Sequence, residues 1–154
     1  MKKFVTLIAS LCFATAGLAG SAKIADISQA ELQAAIAAKS VVILDVNGTE
    51  SYQAGHIPGA IDYIAHKHQL AALLPADKTA LVVAYCGGPA CHAYAAAADA
   101  AVKLGYTNVK HYAPGISGWK QSGAPVAQSA ATNVPLSVPM KYSGALQANP
   151  GAKH

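Results

Sequence analysis

This chain contains no arginine, and only 12% of its 154 residues are charged. Nucleic-acid-binding surfaces need clustered cations, and no basic cluster stands out among the eleven lysines. Two of these, Lys2 and Lys3, lie in a segment that we expect to be removed, which leaves nine lysines against seven acidic residues and a net charge of +2. The composition therefore argues against attraction to DNA or to a membrane surface as the main activity.

Cysteine is also scarce: there are three, and one of them, Cys12, lies in the N-terminal segment. That segment has a positive start, an apolar stretch over 4–18 and small residues over 19–22. This order predicts a secretory signal peptide over 1–22. A transmembrane anchor needs about 20 apolar residues, and the apolar stretch here is shorter. We expect the mature protein to be periplasmic, in an oxidising compartment, with two cysteines left.

The remaining chain has the length of about one domain, and 53% of all residues are apolar. From residue 127 the composition changes to Ala, Ser, Pro, Asn and Gly with no apolar periodicity. We therefore expect a domain over 23–126 and an extended or disordered tail over 127–154.

Short apolar runs indicate strands, and alanine-rich segments between them indicate helices. The predicted strands lie at 25–27, 41–46, 61–64, 81–85 and 108–112. The predicted helices lie at 28–38, 49–54, 69–74 and 94–104, with a last short helix that brings Trp119 inward. Ser28 and Glu31 form a capping box at the start of the first helix.

Cys86 directly follows a buried strand and precedes Gly87, Gly88 and Pro89. These residues fold the backbone into a bowl, and the start of the next helix points unpaired N–H groups into it. We expect a lowered pKa for the Cys86 thiol, because N–H donors and the positive helix end stabilise a thiolate. Most free cysteines are buried apolar residues. A structural cysteine does not need a glycine-rich loop and a helix start after it, so the pattern favours a reactive one.

Two further features of the sequence bear on a metal site or a haem group. His66 and His68 are two residues apart, do not share a helix face and have no nearby carboxylate or cysteine. Cys86, Cys91 and His92 spell C-x4-C-H, a lengthened form of the haem attachment motif C-x-x-C-H. Haem attachment stays a minor alternative because the surrounding segments match another fold, and we predict no metal and no cofactor.

Separated segments together carry a family resemblance. They read LDV at 44–46 with YQAGHIPGA at 52–60, YC at 85–86 opening a six-residue loop, and GYTNV at 105–109 with GISGW at 115–119. In this order and spacing the chain resembles a single-domain rhodanese-like protein over roughly residues 24–126. The resemblance implies an α/β domain with a central five-stranded, mostly parallel sheet, helices on both faces, and sulfurtransferase activity.

In that family the cysteine at the position of Cys86 takes sulfur from a donor such as thiosulfate, polysulfide or a persulfide, and passes it to a thiol or cyanide. The amides expected to bind the transferred sulfur belong to Gly87, Gly88, Ala90, Cys91 and His92. Relatives that handle phosphate or arsenate have a loop one residue longer, so this loop favours sulfur. Asp45 and His56 match family motif positions, and we expect structural roles for both.

At two positions the chain lacks a cationic residue that the family pattern usually has. Asn47 stands where the family usually has arginine after Asp-Val, and Cys91 stands where arginine often closes the loop. Thiosulfate should bind less tightly without arginine's bidentate fork, which favours polysulfide or a protein persulfide as donor. His92 is a candidate for part of the missing charge.

Cys91 leaves three alternatives open. It forms a disulfide with Cys86, acts as a resolving thiol, or is a passive residue at the start of the helix. The expected partners are a small sulfur donor and a thiol acceptor, including a protein thiol. The alternative to an enzyme is a non-catalytic sulfur-carrier or redox module that uses Cys86 and Cys91.

Overall fold

The computed structural model describes residues 24–129. Five strands form one sheet: β1 (Ala25–Asp26), β2 (Val41–Asp45), β3 (Ala60–Asp62), β4 (Leu81–Tyr85) and β5 (Val109–His111). Their order is β1-β5-β4-β2-β3, and every neighbouring pair is parallel. The predicted five-stranded sheet is therefore confirmed. The predicted signal peptide and residues 130–154 of the predicted tail lie outside the described residues.

Helices connect the strands. They are α1 (Gln29–Ala37), α2 (Thr49–Ala54), α3 (Tyr63–His66), α4 (Leu70–Leu73), α5 (Tyr94–Lys103) and α6 (Gly115–Gln121), with a 3₁₀ turn at Lys67–Gln69. The predicted capping box is present at α1, where the Ser28 N–H donates to the Glu31 carboxylate at 2.9 Å and the Glu31 N–H donates to the Ser28 hydroxyl at 3.3 Å.

Each face of the sheet buries its own apolar cluster, because successive strand residues point to opposite faces. On one face, Val42 and Leu44 pack with the small alanines of α5. On the other face, Ile43 and Val83 pack with residues of α1 and α6, including Trp119, which is 2% exposed. Helices therefore cover both faces, as the resemblance implied, and the inward position of Trp119 is confirmed.

One strand prediction was wrong in part. The strand expected over 61–64 occupies Ala60–Asp62, and Tyr63 begins α3. The Asp62 side chain accepts a hydrogen bond from the Ala65 N–H at 3.1 Å, which caps the helix and ends the strand.

The last described residues run beside the connector between α2 and β3. His56 and Ala127 exchange two backbone hydrogen bonds of 2.9 Å in an antiparallel bridge. The Trp119 indole N–H donates to the Pro125 carbonyl at 2.7 Å. This bond holds the residues just before Ala127 against α6. Within residues 24–129, none of the helices has the length and apolar character needed to cross a bilayer.

Candidate functional site

Cys86 lies where the order of the sheet reverses. The chain adds β3 on one side of β2 and later adds β5 on the far side of β4, so β2 and β4 meet at a topological switch point. In open parallel sheets, ligands bind beyond the carboxyl ends of the strands at such a point. Cys86 follows the last residue of β4 and is 1% exposed. The fold thus places this thiol at the usual ligand-binding edge, beneath its surface.

Two hydrogen bonds from α6 orient the loop that follows Cys86. The Ile116 N–H donates to the Cys86 carbonyl at 2.9 Å, and the Ser117 N–H donates to the Gly87 carbonyl at 3.1 Å. In a trans peptide unit the C=O and N–H point in opposite directions. Binding these carbonyls to α6 therefore turns the next amides, those of Gly87 and Gly88, away from α6.

Those amides face the two sulfur atoms. The Gly88 and Tyr94 N–H groups donate to the Cys86 sulfur, and the Gly87 and Ala93 N–H groups donate to the Cys91 sulfur. Four main-chain donors thus surround a pair of thiols, with two donors for each sulfur. Such an arrangement can bind a negatively charged sulfur without any charged side chain.

The thiols of Cys86 and Cys91 contact each other and are both free. The Cys86 thiol also donates to the Cys91 carbonyl, with 3.0 Å between sulfur and oxygen. Burial raises the pKa of Cys86, and the contact with Cys91 raises it further. The same contact, followed by the Ala93 N–H, lowers the pKa of Cys91.

This result corrects one prediction from the sequence. A lowered pKa was expected for Cys86, and the direction is wrong because burial outweighs the Gly88 and Tyr94 donors. The lowered pKa belongs to Cys91, which is only half-buried. The thiol best able to ionise is therefore the second cysteine of the loop.

The amides predicted to bind a transferred sulfur make different contacts in the structure without that sulfur. Those of Gly87 and Gly88 donate to the two thiols. The Cys91 N–H donates to the Gly88 carbonyl at 3.0 Å, which closes a turn. No sulfur contact involves the amides of Ala90 or His92, and both residues are exposed.

Sequence reasoning missed Ala93 and Tyr94 as donors, and Gly115 as a support of the loop. The first two lie at the start of α5, so the predicted helix start was the available signal. Gly115 has a φ of +60°, and a Cβ there would run into the Cys86 carbonyl oxygen and lie 2.6 Å from the Gly88 nitrogen. Nothing in the local sequence shows that the loop packs this closely on α6.

Asp45 supports the end of β2 next to the site. Its carboxylate accepts the Asn47 backbone N–H at 2.8 Å and the Asn47 side-chain N–H at 2.7 Å. The Tyr85 hydroxyl donates to the other carboxylate oxygen and accepts the Ile57 N–H at 3.1 Å. Burial raises the pKa of Asp45, which is 1% exposed. These contacts are those of a structural residue.

His56 holds the connector that follows α2. Its Nδ1 lies 2.7 Å from the Tyr52 carbonyl oxygen, and its ring stacks on that of Tyr52 with centroids 3.7 Å apart. The side chain is buried. Its geometry also fits a structural role.

A second histidine packs on Tyr94, the residue that follows the loop over 86–93, which we call the sulfur loop. His111 ends β5, and its Nδ1 lies 3.0 Å from the Asp26 carboxylate. Its ring stacks on that of Tyr94 with centroids 3.4 Å apart. Burial lowers the pKa of His111. The stack supports Tyr94, whose amide donates to Cys86.

Residues 24–129 contain no group of three metal-ligating side chains. Of the two histidines considered as metal ligands, His66 is half-buried and His68 is exposed.

The family model described as a Rhodanese-like domain matches residues 28–122. The chain belongs to the rhodanese-like family. Solved structures with the same fold include the BH2092 protein from Bacillus halodurans, which is 25% identical with a TM-score of 0.54 and covers 79% of this chain and 89% of that one. The rhodanese-related protein from Thermoplasma volcanium is 23% identical with a TM-score of 0.53 and covers 68% of this chain and 99% of that one.

Two longer proteins are also similar to this rhodanese-like chain. The thiosulfate sulfurtransferase from Pseudomonas aeruginosa is 24% identical with a TM-score of 0.52, over 70% of this chain and 21% of that one. The HTH-type transcriptional regulator Rv0324 from Mycobacterium tuberculosis is 38% identical over 127 residues, which is 80% of this chain and 53% of that protein. This chain therefore spans about half the length of that regulator.

The support of the loop by α6 predicts a specific effect of Gly115→Ala. An added Cβ would overlap the backbone around Cys86 and Gly88, so the loop must shift. We expect a loss of folding free energy of about 3 kcal/mol, as backbone strain and overpacking add. Gly123→Ala is the matched control, because its φ is +74° and nothing lies within 4 Å, so only strain of about 1–2 kcal/mol applies. Equal losses in urea unfolding would contradict the close packing.

The pKa shifts predict which thiol is alkylated first. At pH 7 a lower pKa gives Cys91 the larger thiolate fraction, and it is also the more exposed thiol. Limiting iodoacetamide on the reduced protein, followed by peptide mass analysis, should modify Cys91 before Cys86. Preferential modification of Cys86 would contradict the assigned direction of both shifts.

Proposed function

We propose that this rhodanese-like protein is a sulfurtransferase that carries sulfane sulfur on Cys86. The observation that carries the proposal is the position of this thiol at the switch point of the sheet, with the Gly88 and Tyr94 amides donating to its sulfur. Family membership supports a sulfur-related role in general. The donor, the acceptor and the persulfide belong to the proposal.

The reaction has two covalent half-steps. Cys86, whose raised pKa keeps it mainly a thiol, first gives up its proton, for which the contacting Cys91 sulfur is an acceptor. It then attacks the outer sulfur of the donor, the donor's sulfur–sulfur bond breaks, and the remainder leaves with the electron pair, as sulfite does from thiosulfate. The outer sulfur stays bonded to Cys86 as a persulfide. A thiol or cyanide then attacks that outer sulfur and restores the Cys86 thiolate. Main-chain donors stabilise the negative charge on sulfur in each step.

The absence of fixed cations at the site favours particular donors. Asn47 and Cys91 occupy the two positions where the family places arginine, and the Asn47 side chain lies beside Gly87. Arginine's fork matches the oxygens of a sulfonate-like group, which thiosulfate has and polysulfide lacks. The proposed donors are therefore polysulfide or a protein persulfide, with thiosulfate as a weaker one.

A second candidate is a sulfur-carrier or redox module with little turnover. The contact between the two thiols favours a redox module. The 38% identity to a protein named as a transcriptional regulator favours a role without sustained turnover. Steady-state assays with polysulfide and a thiol acceptor separate the two candidates, because a carrier takes up one sulfur without sustained turnover.

We also propose that the protein is exported to the periplasm, on the basis of the N-terminal sequence over 1–22. N-terminal sequencing of the protein from a periplasmic extract tests this separately from the chemistry.

The proposed function predicts an added sulfur on one defined residue. Intact mass after incubation with polysulfide or thiosulfate should rise by one sulfur, on the peptide that contains Cys86, and cyanide should remove it. The measurement uses Cys91→Ser, so that no second thiol contacts the loaded Cys86, with Cys86→Ser/Cys91→Ser as the matched control. Equal sulfur uptake by the control would overturn the assignment of Cys86.

The absence of an arginine at position 47 predicts that Asn47→Arg improves the reaction with thiosulfate. A guanidinium beside Gly87 should add a charge-assisted hydrogen bond of about 1.5 kcal/mol, which lowers the KM for thiosulfate roughly tenfold. Asn47→Gln controls for side-chain length without adding charge. Polysulfide kinetics should change less, because polysulfide has no oxygens for the fork. An unchanged KM for thiosulfate in steady-state assays would contradict this account of donor choice.

A further inference from the structure

The two thiols of the sulfur loop are arranged as a reacting pair. The Cys86 sulfur lies 3.0 Å from the Cys91 carbonyl oxygen, which places it within about 5.4 Å of the Cys91 Cα by standard backbone dimensions. The two thiols already contact each other. The two sulfurs are therefore neighbours in the folded loop.

The Cys91 thiol also lies next to the sulfur that would carry a transferred atom. It accepts the Gly87 and Ala93 N–H groups and contacts the Cys86 sulfur. A persulfide on Cys86 would have a second thiol in direct contact from the moment it forms.

We propose that Cys91 is a second reacting cysteine, which attacks the Cys86 persulfide and releases hydrogen sulfide as a Cys86–Cys91 disulfide forms. This inference rests on the proposed function, because it begins from the persulfide. It gives the chain a persulfide-reducing activity in addition to sulfur transfer to external acceptors.

The step balances within the protein. The Cys91 thiolate attacks the inner sulfur, which belongs to Cys86, and the bond from that sulfur to the outer sulfur breaks. The outer sulfur leaves with the electron pair and takes up one proton as hydrosulfide. The two cysteines lose two electrons, and the sulfane sulfur gains them. A dithiol reductant of the thioredoxin class must then reduce the disulfide before another turnover.

Electrostatics around the pair support these roles. The lowered pKa of Cys91 favours the thiolate form of the attacking residue over that of Cys86, whose pKa is raised. The Gly87 and Ala93 amides donate to the Cys91 sulfur and stabilise this thiolate.

The test is a single-turnover reaction of the full chain with thiosulfate, after reduction and anaerobic removal of the reductant. Thiosulfate is the probe because its own leaving group is sulfite, so any sulfide must come from the second step. The wild-type protein should release one sulfide for each sulfite, and its mass should fall by two hydrogens as the disulfide forms. Cys91→Ser should release sulfite alone and keep one added sulfur on Cys86.

The outcomes separate the inference from the proposed function. If the wild-type protein keeps its added sulfur and releases no sulfide, the inference is overturned while the Cys86 persulfide stands. A persulfide found on the Cys91 peptide would also overturn it, since the outer sulfur would have been attacked instead. If neither thiosulfate nor inorganic tetrasulfide adds sulfur to Cys86 in Cys91→Ser, the proposed function fails and the inference fails with it.

Discussion

The site depends on two backbone hydrogen bonds from α6 to the carbonyls of Cys86 and Gly87. Because each carbonyl is fixed on one side, the amide in the same peptide unit must face the other side, where the sulfurs lie. Gly115 permits this contact, since any Cβ there would overlap the loop. The orientation of the donors is thus set by a helix that begins about thirty residues after Cys86, and the loop sequence by itself does not determine it.

Burial and hydrogen bonding act in opposite directions on the two thiols. At Cys86 the loss of hydration dominates, so its pKa rises although two amides donate to its sulfur. At Cys91, which is closer to solvent, the contact with Cys86 and the Ala93 amide dominate and its pKa falls. The pair therefore consists of a shielded thiol with a raised pKa and a more accessible thiol with a lowered pKa. This division needs no arginine.

The sequence predicted features that depend on near neighbours. The capping box of Ser28 and Glu31, the buried strands and the position of Cys86 after β4 follow from local patterns. The end of β3 was misplaced because the Asp62 side chain caps a helix, a choice that strand propensity does not reveal. The pKa of Cys86 was predicted in the wrong direction, because its sign depends on burial and on contact with Cys91 in the folded loop.

The central claim is that main-chain amides, oriented by α6, hold the transferred sulfur. Amide NMR spectra of Cys91→Ser, recorded before and after sulfur is loaded on Cys86, test it most directly. The account predicts large shifts for the amides of Gly87, Gly88, Ala93 and Tyr94, and small ones for Ile116 and Ser117, whose bonds to the loop carbonyls persist. Unchanged resonances for the first four amides in a protein that carries the sulfur would contradict it.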